Sequence, residues 1–228
     1  MGQAYNLSII VPVLNEEAQA ETLIRRLQVL AEVVKEIIIV DGGSTDNTRA
    51  LLAEHFCVLD SAAGRARQMN TGAAHAGGTW LFFLHADTSL GLENIHYAIR
   101  ESAAGSWGRF DVSLSGQRLM LRIIAAMINL RSRLTGIATG DQCIFVRKKL
   151  FDEVGGFKDI PLMEDVELSK RLKRYASPVC LDSKVITSSR RWLKYGIWQT
   201  IFLMWKLRFL FWLGKDPAQL HALYYRKD

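Results

Sequence analysis

Residues 7–17 read Leu7-Ser8-Ile9-Ile10-Val11-Pro12-Val13-Leu14-Asn15-Glu16-Glu17, and the change of character along this stretch decides the fold. The run from Leu7 to Val13 is apolar and rich in β-branched residues, the pattern of a buried strand. At Asn15 it turns polar, and apolar residues then recur at helical spacing as far as Leu30. The same alternation continues downstream. Glu36 to Val40 (EIIIV) is a second strand ending at Asp41-Gly42-Gly43-Ser44, after which Ser44 or Asp46 caps a helix running toward His55. Cys57 to Leu59 is a short third strand, Gly64 to Ala76 a helix, and Trp80 to Leu84 a fourth strand that stops at His85-Ala86-Asp87. Strands alternating with helices predict an α/β fold whose sheet is mostly parallel and flanked by helices. Ligands of such sheets bind beyond the carboxyl ends of the strands, so Asn15, Asp41 and Asp87 are expected to converge on one site.

Working outward, the second half is less regular. It offers a strand-like stretch from Gly105 to Ser115, a basic amphipathic helix near Gln117 to Arg133, a strand near Cys143 to Val146 and a helix from about Asp165 to Tyr175. With 228 residues, 49% hydrophobic, 23% charged and four prolines, the chain suits one compact domain and excludes a disordered, collagen-like or disulfide-stapled protein. Three cysteines, Cys57, Cys143 and Cys180, have no C-x-x-C spacing, which argues against a zinc cluster and for a reducing compartment. The first residues show neither a secretory signal nor a myristoylation pattern, so a cytoplasmic location is expected.

The net charge of +6 resides between Thr187 and Lys215, where Arg190, Arg191, Lys194, Lys206, Arg208 and Lys215 meet no acid. These bases are interleaved with Trp192, Trp198, Trp205 and Trp212, a pattern that suits a membrane surface better than nucleic acid. Drawn as one helix over 192–214, Trp198, Ile201, Phe202, Trp205, Phe209 and Trp212 share a face opposite Leu203, Met204, Leu207, Leu210 and Phe211. Lys206 and Arg208 would cost roughly 2.5 to 3.5 kcal/mol each at a bilayer centre, which disfavours a spanning helix. A helix lying in the interface fits, on the inner face of the cell membrane; packing in the core or across a dimer is the alternative.

Four motifs occur in order: SIIVPVLNEE (8–17), VDGGSTD (40–46), FLHADT (83–88) and Met163-Glu164-Asp165. Together they resemble the family-2 glycosyltransferases of the GT-A fold over roughly residues 7 to 182. Gly140-Asp141-Gln142, Gly155-Gly156-Phe157 and Ser189-Arg190-Arg191-Trp192 are similar to a small bacterial subfamily of these enzymes. The resemblance implies a GT-A domain over 1–186, with a nucleotide-binding half to about residue 115 and an acceptor-side half from 116, followed by a basic-aromatic extension over 187–228. It also implies an inverting, metal-dependent transfer from a nucleotide sugar, a UDP- or GDP-sugar, to a hydroxyl acceptor. A membrane-bound helix would bias that acceptor toward a lipid-linked one.

The chemistry of the residues runs parallel to the resemblance. Loss of a nucleoside diphosphate builds negative charge that a divalent cation, Mn²⁺ or Mg²⁺, stabilises. Asp87 occupies the position of the family's metal-binding D-x-D motif, whose first acid is here His85; imidazole suits Mn²⁺ better than Mg²⁺. Asp87 could equally cap the following helix. Asp41 resembles the acid that binds the nucleotide base, with Pro12, Asn15 and Glu16 lining the same pocket and Gly43 leaving room for close approach. Arg65, Arg67 and Asn70 open the helix after Gly64, where N–H groups and guanidinium forks suit a diphosphate. Asp165 corresponds to the general base that takes the acceptor proton, with Glu164 orienting it or binding acceptor. The macrodipole alone would also favour this acidic pair. Arg190 and Arg191 belong to a loop that closes over the diphosphate or meets an anionic lipid. His75, His96 and His221 read as surface or packing residues. Two other functions compete: a sugar-1-phosphate nucleotidyltransferase, for which the glycine-rich basic loop after the first strand is missing, and a non-catalytic membrane-binding module.

Overall fold

The computed structural model describes residues 4–101 and 105–225. Its centre is an eight-stranded sheet of order β3-β2-β1-β4-β7-β6-β8-β5. The first four strands in chain order are β1 (Tyr5–Val13), β2 (Val34–Asp41), β3 (Cys57–Asp60) and β4 (Trp80–Phe83). All pair in parallel, with β1 between β2 and β4. β7 (Ile144–Arg147) then runs antiparallel to both β4 and β6 (Trp107–Leu114), while β6 is parallel to β8 (Val179–Thr187). The two-residue β5 (Thr88–Ser89) closes the edge. The expected parallel alternation therefore holds for the first half, and the second half is mixed.

Successive residues of β1 serve opposite faces, as the two-residue period requires. Ile9 and Val11 pack with Leu23, Leu27 and Leu30 of α1 (Glu17–Ala31) and with Ile95 of α4 (Leu92–Glu101). Ile10 packs with Met69 and Ala73 of α3 (Arg65–His75), Phe151 of α6 (Lys148–Glu153) and Leu168 of α7 (Glu164–Leu172). The sheet is thus covered on both sides, which is why β1 and β2 read as unbroken apolar runs.

Three side-chain amides lock helices to neighbouring segments, two of them buried and bonded to strands and the third, Asn70, partly buried and bonded to the loop after α6. The side chain of Gln68 donates to the carbonyls of Val13 and Val40 at 2.8 and 2.9 Å, tying together the carboxyl ends of β1 and β2. Asn129, on α5 (Leu119–Thr135), both donates to and accepts from Val112 of β6. Asn70 makes the same two-way bracket with Phe157. Each satisfies backbone groups that burial would otherwise strand.

Beyond β8 the chain differs from the single helix expected over 192–214. Gly196, at φ +83°, divides it into the short α8 (Arg190–Lys194) and α9 (Ile197–Trp212). A further helix, α10 (Pro217–Tyr224), folds back so that Leu207 and Leu220, both fully buried, pack with Leu162, Met163 and Val166 beside α7. Through Leu207 and Leu220, the described residues of this stretch, 187–225, therefore pack into the core beside Glu164 and Asp165 rather than standing apart from it. The outer face of α9 remains bare: Trp198, Phe202, Trp205, Phe209 and Trp212 are 56–72% exposed. No helix among the described residues is long and apolar enough to cross a membrane.

Candidate active site

The carboxyl ends of β1, β2 and β4 lie along one edge of the sheet, and a cleft of about 1030 Å³ opens beyond them. Pro12, Glu16, Arg65, Arg67, His85, Asp87, Arg190 and Arg191 line it. A second cavity of about 250 Å³ holds Glu164 and Asp165. Arg65, His85, Asp141, Trp192, Met204 and Tyr224 line both, so the two spaces share a wall.

The loops that carry these residues are set by local geometry. After β2, Asp41 accepts bonds from the backbone N–H groups of Gly43 and Ser44 at 2.9 and 2.8 Å and from the Ser44 hydroxyl. Gly43 can take φ +87° because it has no Cβ, and a Cβ there would meet nothing. Asn15, at φ +52°, accepts from the Thr45 N–H, so the loops after β1 and β2 brace each other. Asp41 and Asn15 thus sit at the expected edge, but the Asp41 carboxylate is engaged by its own turn and the Asn15 side-chain oxygen by the loop after β2, and neither is among the residues lining the cleft. Asn70 differs from expectation for the same reason, since its amide is consumed by Phe157. Arg67 reaches the rim, where it pairs with Asp159 at 2.8 Å.

Asp87 stands open in the larger cleft, its one side-chain bond a long 3.5 Å contact from the Thr88 hydroxyl. Arg26 and Glu16 lie within electrostatic reach of it. Burial raises the Glu16 pKa above the usual carboxylate value; Arg190, whose guanidinium lies 4.0 Å away, opposes this, and Asp87 adds to it. The described residues contain no cluster of three His, Cys, Asp or Glu able to cage a metal by themselves. The donor set therefore suits a cation that shares Asp87 with the oxygens of a diphosphate, as Mg²⁺ and Mn²⁺ commonly are held. His85 lines the same cleft and is engaged there: its Nδ1 is 3.6 Å from Asp141, and Gly140 packs so tightly on the ring that a Cβ would stand 2.1 Å from it. Burial alone would raise the Asp141 pKa, but His85, with Arg65 and Arg208 behind it, outweighs this and holds it low.

Asp165 begins the first turn of α7. Gly140 N–H donates to one of its oxygens at 2.8 Å and Val166 N–H to the other at 2.7 Å. Met163, immediately before the pair, is held at φ +69°, a conformation that costs a non-glycine residue about 1–3 kcal/mol and that clusters at functional sites. Glu164 is buried, with Arg65 3.9 Å away. Desolvation, then the neighbouring charge of Asp165, push its pKa up to about 7 against the pull of Arg65.

The sequence reading did not single out several site residues. Asp141 was visible only as part of a motif. Arg131 of α5 and Arg208 of α9 enter the smaller cavity from helices read only for their amphipathic faces. His221, Tyr224 and Tyr225 of the terminal helix cover the larger cleft. Arg191 stacks on the Tyr224 ring at 3.6 Å, and Arg65 bonds the Tyr225 hydroxyl at 3.4 Å. No local pattern announces contacts made across 160 residues of chain.

A family model, "Glycosyl transferase family 2", matches residues 8–154. The chain belongs to glycosyltransferase family 2. Its fold is that of the GT-A glycosyltransferases, as expected. Among solved structures, S. aureus TarS 1-349 in complex with UDP-GlcNAc superposes with a TM-score of 0.63 at 18% identity, covering 80% of this chain and 58% of that one. The Pyrobaculum calidifontis mannosyltransferase PcManGT, in complex with GDP-Man and Mn²⁺, gives 0.60 at 17% identity over 80% and 56%. In sequence, an undecaprenyl-phosphate 4-deoxy-4-formamido-L-arabinose transferase of Pseudomonas fluorescens (strain Pf0-1) is 30% identical over 159 residues, 62% of this chain and 46% of that protein. A PGL/p-HBAD biosynthesis glycosyltransferase of Mycobacterium bovis (strain BCG / Pasteur 1173P2) is 37% identical over 91 residues, 36% of each. This family-2 chain thus matches less than half the length of these curated relatives.

Proposed function

We propose that the protein transfers a sugar, with inversion, from a nucleotide-sugar donor in the larger cleft to the hydroxyl of an acceptor in the smaller cavity. The observation that carries this reading is the shared wall: Asp87 stands in one space and Asp165 in the adjoining one. UDP- and GDP-sugars are the favoured donors, because two structures similar to this one are in complex with UDP-GlcNAc and with GDP-Man. Arg65, Arg190 and Arg191 supply cations to the diphosphate, and Glu16 and Pro12 form the wall behind β1. A divalent ion on Asp87, when bound, stabilises charge on the departing diphosphate; Mn²⁺ in a structural relative is consistent with this. Asp165 takes the acceptor proton as the hydroxyl oxygen attacks the anomeric carbon from the face opposite the leaving group. The raised pKa of Glu164 favours its neutral form beside Asp165. The bare aromatic face of α9, rimmed by Lys194 and Lys206, rests on the cytoplasmic face of the membrane and presents the cavity to a lipid-linked acceptor.

Asp165→Asn is expected to abolish transfer, a loss of at least about 10³-fold, while nucleotide binding in a thermal-shift panel of UDP-, GDP-, CMP- and dTDP-sugars stays within about twofold. Lost nucleotide binding would reassign the residue to the donor side. Asp87→Ala should remove the Mn²⁺-dependent part of nucleoside diphosphate affinity, and an affinity indifferent to both metal and substitution would rule against ligation there.

A further inference from the structure

The smaller cavity has a chemistry that sugar transfer by itself does not demand. Its floor is acidic, with Glu164 and Asp165, yet two arginines reach it from opposite helices. Arg131 comes from α5 and Arg208 from α9. Neither makes a salt bridge among the described residues, and the Nε and Nη2 atoms of Arg131 are buried without any hydrogen-bond partner. Burial and the like charge of Arg208 lower the Arg131 pKa to about 10, with Asp165 opposing them. Burial likewise lowers that of Arg208. The buried, unpartnered nitrogens of Arg131 are costly, and such groups are normally satisfied by something.

Where α5 and α9 form it, the wall is otherwise apolar, from Ile124, Met127 and Ile128 on one side to Ile201, Met204 and Leu207 on the other, while Arg65, His85 and Asp141 stand on the side shared with the larger cleft. The helices that bound it are bare outside. On α5 the stripe Leu119, Ile123, Met127, Leu130 and Leu134 is 42–77% exposed. Beside it stands the aromatic face of α9, the two helices meeting through Ile124, Ile128, Ile197 and Ile201. Two half-buried arginines thus line a cavity bounded by two helices that expose apolar stripes.

Resting on the acceptor-side reading of this cavity, we propose that it binds an amphiphilic acceptor carrying a phosphate. The phosphate lies on Arg131 and Arg208 and brings the neighbouring hydroxyl to Asp165, and the alkyl tail leaves between α5 and α9 toward the lipid surface. Phosphate matches the forked donors of two guanidinium groups, and an alkyl tail matches the lining.

The test is titration calorimetry on the full chain with monomeric dodecyl phosphate, dodecanol and inorganic phosphate as probes. Dodecyl phosphate should bind at least about tenfold more tightly than either of the others, and Arg131→Met or Arg208→Met should each weaken it about tenfold, the scale of one charge-assisted hydrogen bond. Arg131→Lys should retain most of the affinity. Nucleotide binding in the other cleft should be unchanged in every variant, so failure of the donor site and failure of this subsite are read separately. Equal affinity for inorganic phosphate and dodecyl phosphate would reduce the site to one for small anions and overturn the proposal. So would dodecyl phosphate binding that ignores both substitutions, or that is matched by dodecanol; the comparison of probes on the wild-type chain needs no variant to fold.

Discussion

Glu164 and Asp165 are adjacent in sequence and unequal in surroundings. Asp165 receives two backbone N–H groups, whereas Glu164 is buried against the charge of its neighbour. Its raised pKa has a consequence for stability. The folded state holds the Glu164 proton more tightly than the unfolded chain, whose value is near 4.5. The resulting contribution is complete below that pH and is lost as pH rises toward 7. Glu164→Gln keeps the neutral form, so its melting temperature should gain on the wild type when both move from about pH 5 to about pH 8. A difference independent of pH would show that Glu164 is not the group titrating.

At the scale of elements, the site is held by side chains that tie one piece of secondary structure to the next. The Asn129 bracket fixes α5, and with it Arg131, against β6. Asn129→Ala would leave the Val112 N–H and carbonyl unpaired in buried surroundings. This should cost about 2–4 kcal/mol, seen as a lower urea midpoint with an unchanged slope. Gln68 does the same for the ends of β1 and β2 and so sets the mouth of the larger cleft. The elements that escaped the sequence reading have recognisable reasons. β8 interrupts its apolar residues with Asp182, Ser183 and Lys184 and shifts register against β6 between Phe110 and Asp111, which breaks the two-residue period. α4, α6 and α10 are short, and their one-sided apolar patterns are brief.

Across the whole molecule, the carboxyl-terminal helices face two ways. Leu207 and Leu220 complete the packing around α7, while the opposite side of α9 offers aromatic side chains to whatever lies outside. Removing the whole segment would therefore strip the site wall as well as any membrane contact. Point substitution on the outer face separates the two. Phe202→Ser with Phe209→Ser should reduce cosedimentation with phosphatidylglycerol vesicles at least about tenfold, since each buried aromatic contributes about 1.5–3 kcal/mol. Folding stability should change by no more than about 0.5 kcal/mol per site, because both side chains are exposed. Vesicle binding that survives the pair would place the membrane contact elsewhere or nowhere.

The apolar runs that end at Val13, Val40 and Leu84 determined the parallel half of the sheet and the edge on which the site forms, because strand burial and strand ends are written in local hydrophobic period. The motifs likewise pointed to Asp87, which lines the cleft beyond that edge, and to Glu164 and Asp165, which lie in the adjoining cavity. Only the tertiary structure decided which side chains remain free there. Asp41, Asn15 and Asn70 stand near that edge, but Asp41 is engaged by its own turn, and Asn15 and Asn70 by backbone groups of neighbouring loops. Conversely, Arg131, Asp141, Arg208 and Tyr224 reach the cavities through helix packing and chain return. Which hydrogen bonds a polar side chain makes depends on what the fold brings within three ångströms of it, and residue type and spacing do not contain that information.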